Sequence, residues 1–320
     1  MTRRPAPRGR RAAATAVVAA LAGLLVGAAG AQAPATAAPA ARADTAALRR
    51  ALDSLADAHR GVVGYAVHNL DTGERLERRG DETFPTASLI KVPILVALFE
   101  LIEQGEMSLD DPLTVLKTDQ VGGTGVLRLF RPGTLVTVGD AARLMIAVSD
   151  NTATNLLLDR VVIRRVWDKM EALGLPHTKV HAKSFKRNTS VAMDSSVKYG
   201  LGVTTSNEMA RLFALLADGK AVSARADSTM LEILEDADDP HMLQRNVAAR
   251  AAHKTGLTDQ VRTECALWRL PARVVACVLT KENEDRRYAV DNAAQVTMAR
   301  MGEAIVGAWQ PPAAGTRPAP

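Results

Sequence analysis

The chain reads as an α+β fold: one antiparallel sheet assembled from both chain ends, flanked by helices, with a mainly helical body between. Three observations predict it. Two strand-like runs stand near the front, Gly61–Asn69 and Glu74–Arg79, joined by the turn residues Asp71-Thr72-Gly73. Three more stand near the end, Ala249–Thr255, Arg262–Leu270 and Arg273–Thr280, at meander spacing. The segments between them carry apolar residues at helical spacing. Two strands from the front and three from the back make a five-stranded antiparallel sheet with the helical part as an insert. There are no internal repeats.

In chain order, Thr45–Ala58 is a helix, with Leu48, Ala51, Leu52 and Leu55 on one face and Asp44 as N-cap. A helix from Ser88 to about Gly105 follows the first hairpin. Gly122–Gly125 is a glycine-rich loop, but no Gly-Lys-Ser/Thr follows, which excludes a phosphate loop. Helices are predicted over Thr137–Val148, Asn151–Val162, Val166–Leu173, Thr205–Ala217, Ser228–Glu235 and Tyr288–Gly307. Gly174–Val203 is polar and irregular, long enough to be a functional loop.

The 320 residues carry 47% hydrophobic but only 3% aromatic side chains, so the core rests on Ala, Val and Leu. The net charge of +5 is misleading. Five arginines (Arg3, Arg4, Arg8, Arg10, Arg11) and no acid occur in residues 1–31; without them the 40 basic side chains become 35, equal to the 35 acidic ones. Basic residues, the apolar stretch Ala12–Ala29 and the small residues Ala29-Gly30-Ala31 form a three-part leader that fits a cleaved signal peptide. A twin-arginine signal at Arg10-Arg11 and a membrane anchor are the alternatives. The mature chain is expected to be exported, to the periplasm or beyond, without stable membrane insertion. No basic block interleaves with aromatics, which argues against nucleic acid. Residues 32–43 are an Ala/Pro linker and 310–320 a tail, both too poor in large apolar residues to pack. That leaves 44–309 as the folded part, with 81–204 its mainly helical portion.

The chemistry begins at Ser88-Leu89-Ile90-Lys91. A serine hydroxyl needs a neighbouring base to act as nucleophile. Positions i and i+3 share a helix face, so Ser88 and Lys91 stand together if helix starts here. The run from Val92 to Phe99 is apolar all round, so the helix is buried, and burial favours a neutral, proton-accepting Lys91 amine. Pro93 sits where an α-helix would lose a hydrogen bond, so the start is either tighter than α or bent. Ser149-Asp150-Asn151 falls between two helices, and Lys254-Thr255-Gly256 ends a strand.

Ser-x-x-Lys, Ser-Asp-Asn and Lys-Thr-Gly in this order and spacing resemble the penicillin-recognising serine hydrolases, class A β-lactamases among them. Gly123-Thr124-Gly125-Val126-Leu127, Thr204-Thr205 and Glu208-Met209-Ala210 support the likeness, which covers about residues 45–308. It implies the serine β-lactamase/DD-peptidase-like fold and an acyl-Ser88 route for opening a β-lactam amide. Lys91 would take the Ser88 proton or help a water do so, Ser149 would be the proton relay to the leaving nitrogen, and Asn151 a ligand for the substrate amide. Lys254, Thr255 and Gly256 would hold the substrate carboxylate. The backbone N–H groups of Ser88 and Leu257 would form the oxyanion hole. Asp150 reads as a structural tie between loops.

The likeness breaks in the loop Thr178–Asn188. Asn188 matches the family's loop asparagine, but Ser184 stands four residues earlier, where those enzymes carry the glutamate that activates the deacylating water. No Glu lies between Glu171 and Glu208; Asp194 is the only acid there. A hydroxyl is no base at neutral pH, so slow deacylation is expected. A related amidase or esterase on cell-wall peptides, or a penicillin-binding acyl trap, are the alternative functions. Arg262 is the candidate for the family's carboxylate-binding arginine, one residue out of register; otherwise it is a solvated strand residue. Cys265 and Cys277 lie equally far from the Leu270-Pro271-Ala272 turn, so they can face each other, although strain weighs against cross-strand bonds. His177 and His181 lack a third ligand, and Glu235–Asp239 lacks a calcium pattern. No metal or cofactor is expected, and a monomer acting on a small-molecule or peptide-like substrate is.

Overall fold

A computed structural model describes residues 43–310. The leader, the linker up to residue 42 and the tail from residue 311 lie outside the described residues.

The chain opens with α1 (Thr45–Ala58), capped by the Asp44 carboxylate on the Ala47 N–H at 2.9 Å. β1 (Val62–Asn69) and β2 (Arg75–Arg78) form the front hairpin. Then come β3 (Phe84–Pro85), a 3₁₀ turn over Ala87–Ile90, and α2 (Lys91–Glu103). β4 (Pro112–Thr114) and β5 (Leu135–Thr137) pair across the glycine loop. Three helices follow: α3 (Val138–Ala147), α4 (Asn151–Val161) and α5 (Ile163–Ala172). The stretch read as irregular holds β6 (Lys179–Val180), α6 (Met193–Tyr199) and β7 (Gly202–Thr204), and β7 pairs with both β3 and β6. α7 (Ser206–Ala217) and α8 (Ala224–Glu235) precede the back strands β8 (Ala251–Thr258), β9 (Val261–Arg269) and β10 (Arg273–Lys281).

The five long strands form one antiparallel sheet in the order β2-β1-β10-β9-β8, so the two chain ends meet along β1 and β10. Both faces are covered. Alternate residues Ala66, Cys265, Leu267, Val275 and Leu279 join the core built around α2, α3, α4, α7 and α8. Their neighbours Tyr65, Val67, Ala266, Trp268, Val274 and Val278 pack under α1 and the last helix, α9 (Ala293–Trp309). Period-two alternation therefore places one strand set in two cores.

α5 begins at Ile163 rather than Val166 and α8 at Ala224 rather than Ser228, and two further expectations change. The closing helix begins at Ala293, not Tyr288, because Asn292 caps it through Ala294 N at 3.0 Å. Residues 285–292 are held as a loop instead, with the Asp285 carboxylate bonded to Arg287 and to Ala293 N. Cys265 and Cys277 are directly opposed on β9 and β10 and form a disulfide, against the expected weight of cross-strand strain.

Candidate active site

The nucleophile candidate sits on a forced turn. Ala87 has φ 46°, in the left-handed region that costs a non-glycine residue of order 1–3 kcal/mol. This turns the chain from β3 into the 3₁₀ segment and sets Ser88 at the lip of a cleft of about 1570 Å³. Packing holds the turn in place. The Thr263 hydroxyl donates to Thr86 O at 2.8 Å, and Gly256 lies flat against it. A Cβ on Gly256 would stand 2.4 Å from Thr86 O and 2.9 Å from Leu89 N, so only glycine lets β8 approach so closely. The 3₁₀ start also settles Pro93. It falls in the first turn of α2, where N–H groups have no intrahelical partner to lose.

Lys91 is fully buried at the cleft floor. Its Nζ donates to Ser149 O at 2.6 Å, to Ser149 Oγ at 3.0 Å and to Asn151 Oδ1 at 3.0 Å. Three bonds fill an ammonium's donors, and none of them goes to Ser88. Burial, and then the Lys254 charge, push the amine well below its ordinary pKa, opposed by Asp150. The neutral amine keeps two N–H groups and gains a lone pair, which then becomes available to the hydroxyl one turn away.

Ser149 follows α3 with φ 53°, which points both its oxygens at Lys91. The next residue ties the neighbouring loop. The buried Asp150 carboxylate caps α4 at Ala153 N (2.9 Å) and accepts from Val126 N (2.6 Å) and Leu127 N (2.8 Å). Gly125, at φ 108°, lies against this carboxylate where a Cβ would come within 2.2 Å. Asn151 is thereby fixed, its amide donating to Gly122 O at 3.2 Å.

On the opposite wall β8 supplies Lys254, Thr255 and Leu257. Arg262 N and O both face β10, where they bond the Thr280 hydroxyl. The opposed pair Leu257–Arg262 is therefore of the non-hydrogen-bonded kind, and Leu257 N–H points off the free edge of β8 toward the cleft. Lys254 is buried, its Nζ bonded to Thr255 O at 3.0 Å. Burial pushes it down to about 8, against the pull of Asp239 and Glu264. The Thr255 hydroxyl donates to Asp239 Oδ2 at 2.6 Å.

Ser88, Ser149, Asn151, Lys254, Thr255 and Leu257 thus line one cleft, above Lys91 and beside Gly256. Ser184 lines it too, its hydroxyl buried with no partner among the described residues. Two predicted residues are elsewhere. Asn188 is exposed in the turn Arg187–Thr189, outside the cleft wall, because the loop doubles back at a Lys183–Lys186 bridge with Phe185 at φ 57°. Arg262 is neither a cleft cation nor a solvated strand residue. It is buried, and its guanidinium is bonded to the carbonyls of Val261 (2.9 Å), Arg287 (2.8 Å) and Thr258. Asp194 is exposed on α6, away from the cleft. His177 bonds Glu208 at 2.7 Å and His181 bonds Gly200 O at 3.2 Å.

Sequence reasoning missed two residues. Asn155 accepts from Ser184 N at 2.8 Å and donates to Ser184 O at 3.0 Å, so it clamps the loop; its signal was its i+4 spacing from Asn151 on α4. Asp239 was read only as part of an acidic run.

The fold and this site define a serine hydrolase of the β-lactamase/DD-peptidase type. A family model described as the β-lactamase enzyme family matches residues 47–309, and the chain belongs to that family. β-Lactamase AER-1 of Aeromonas hydrophila is 26% identical over 217 residues, 67% of this chain and 70% of that protein. The crystal structure of a β-lactamase from Sphaerobacter thermophilus superposes with a TM-score of 0.75 at 27% identity, covering 84% of this chain and 100% of the other. PBP-A superposes at 0.72 and 25% identity, covering 85% and 98%, and a PBP-A variant has been solved as its acyl-enzyme with penicillin-G.

Proposed function

We propose that this protein is a class A-like serine hydrolase that opens a β-lactam or related amide by acylating Ser88 and releases the acyl group slowly. The observation that carries the reading is the buried Lys91 amine, bonded to both oxygens of Ser149 and pushed toward its neutral form. Ser88 Oγ attacks the carbonyl carbon and its proton passes to Lys91. The tetrahedral oxyanion accepts from Ser88 N–H and Leu257 N–H, an arrangement worth about 3–4 kcal/mol of barrier. As the C–N bond breaks, the Ser149 hydroxyl protonates the nitrogen and recovers a proton from Lys91. The ester then waits for water. Ser184 supplies no base, and the exposed Asn188 lies away from the ester. The arginine-rich leader supports export. A second reading, an amidase or esterase on another substrate, is favoured by the Asp239 carboxylate standing on Thr255.

Intact mass during incubation with benzylpenicillin tests the proposal. A Ser88 adduct that forms, persists and decays slowly as product appears is expected. Turnover with no detectable adduct would sink slow deacylation, and an adduct retained in Ser88→Ala would sink the nucleophile.

A further inference from the structure

The far end of the cleft carries its own carboxylate. Asp239 Oδ2 takes the only proton the Thr255 hydroxyl has to give, at 2.6 Å. Asp239 is half-buried and follows Asp238, whose N–H is anchored on Ala147 O at 3.0 Å, so the carboxylate stands in the cleft wall on a fixed segment. The buried charges around it are already engaged. The buried Glu264 is paired with His253 Nδ1 at 2.7 Å and accepts from Leu243 N. Lys254 faces Asp239. Arg262 is held by backbone carbonyls, and Lys281 is paired with Glu82 at 2.7 Å. Arg286 lines the same end but is exposed, where an ion pair contributes little.

We propose that Asp239 is a specificity-determining residue that disfavours substrates with a carboxylate beside the scissile bond and selects acyl donors whose group there is uncharged or cationic. This rests on the acyl-Ser88 reading and deepens it. The substrate class is an amide or ester flanked by a neutral amide, ester or ammonium group. Such a group donates to Asp239 or leaves it in place, whereas a carboxylate must displace it from Thr255 and sit beside a like charge. Penicillins acylate Ser88 under this inference, but their carboxylate slows them.

The test compares benzylpenicillin with its methyl ester, as rates of Ser88 acylation by intact mass. Parent protein, Asp239→Asn and Asp239→Ala are used, each first checked for parent-like thermal unfolding. The asparagine keeps the hydrogen bond to Thr255 and removes the charge; the alanine removes both and frees the hydroxyl. In the parent the ester is expected to react faster than the acid. Charge pairs at this range shift equilibria by about one to three decades. The acid-to-ester rate ratio is therefore expected to rise roughly tenfold or more in both variants. Adducts with both compounds at a ratio unchanged within about twofold would overturn the role of Asp239 and leave acyl-Ser88 intact. No adduct with either compound, in any of the three proteins, would overturn the acyl-Ser88 reading and this inference with it.

Discussion

Replacing Lys91 by methionine removes the amine and keeps an unbranched chain of similar length in a site with no exposure. The kinetic cost follows from the role. A positioned general base contributes about 10²–10⁴ in rate, roughly 3–5 kcal/mol at 1.36 kcal/mol per decade. The structural cost is smaller. Ser149 O keeps the Thr124 hydroxyl at 2.7 Å, and the Ser149 hydroxyl can turn into the cleft. Only Asn151 Oδ1 loses its recorded donor, and Asn151 borders the cleft, where water can reach it. Burying a methionine also avoids desolvating an amine. The variant should unfold within a few degrees of the parent and acylate at least about a hundredfold more slowly. Stopped incubations with benzylpenicillin, read by intact mass, give the rate; differential scanning calorimetry gives the unfolding temperature. A folded Lys91→Met protein acylating within threefold of the parent would refute the assignment and move the base elsewhere.

Three further outcomes follow from the same geometry. Acylation rate against pH should be bell-shaped: it rises as the lowered Lys91 loses its proton, and falls with a midpoint about 8 as Lys254 loses its charge. A rate still climbing at pH well above 9 would remove Lys254 from the mechanism. Gly256→Ala puts a methyl 2.4 Å from Thr86 O, a backbone clash costing about 1–3 kcal/mol. It should lower the unfolding temperature and slow acylation together, and a normal acylation rate would mean that the close approach does not position Ser88. Ser184→Glu places a carboxylate where the buried hydroxyl lacks a partner among the described residues, and should shorten the life of the penicillin adduct by at least about tenfold. Unchanged decay of the adduct mass would show that water cannot be activated from this position.

The sheet and the three motifs were legible because their signals are local. Strand alternation, the Asp44 cap and the Ser88–Lys91 spacing each depend on residues a few positions apart. Even the conformational puzzle at Pro93 was readable as a choice, which the 3₁₀ start resolves. What failed depends on long-range geometry. Counting along the loop gives Asn188 the correct separation from Ser184, but the backbone doubles back at Phe185 and leaves it outside. Arg262 sits near enough in sequence to be a cleft cation, yet Arg287, 25 positions later, takes one side of its guanidinium. Asp239 is, in sequence, one acid in a run that lacks a calcium pattern, and only the fold brings Thr255, 16 positions away, to it.

These misses bear on one another. The proposed acylation would use a neutral amine near Ser88 and a positive field on the opposite wall, roles that fit Lys91 and Lys254 because one is buried beside the other's charge. Deacylation needs an additional base, and substrate carboxylates need an additional cation. At the loop position read for the base the chain has Ser184; Arg262 is held by backbone carbonyls, and the Asp239 carboxylate stands on Thr255. Asn155 clamps the Ser184 backbone, and the Thr255 hydroxyl donates to Asp239. Ala87 and Ser149 both take left-handed conformations beside the three hydrogen bonds of Lys91. Under the proposed acyl-Ser88 reading, the Asp239 carboxylate on Thr255 suits a substrate whose group beside the scissile bond is uncharged or cationic.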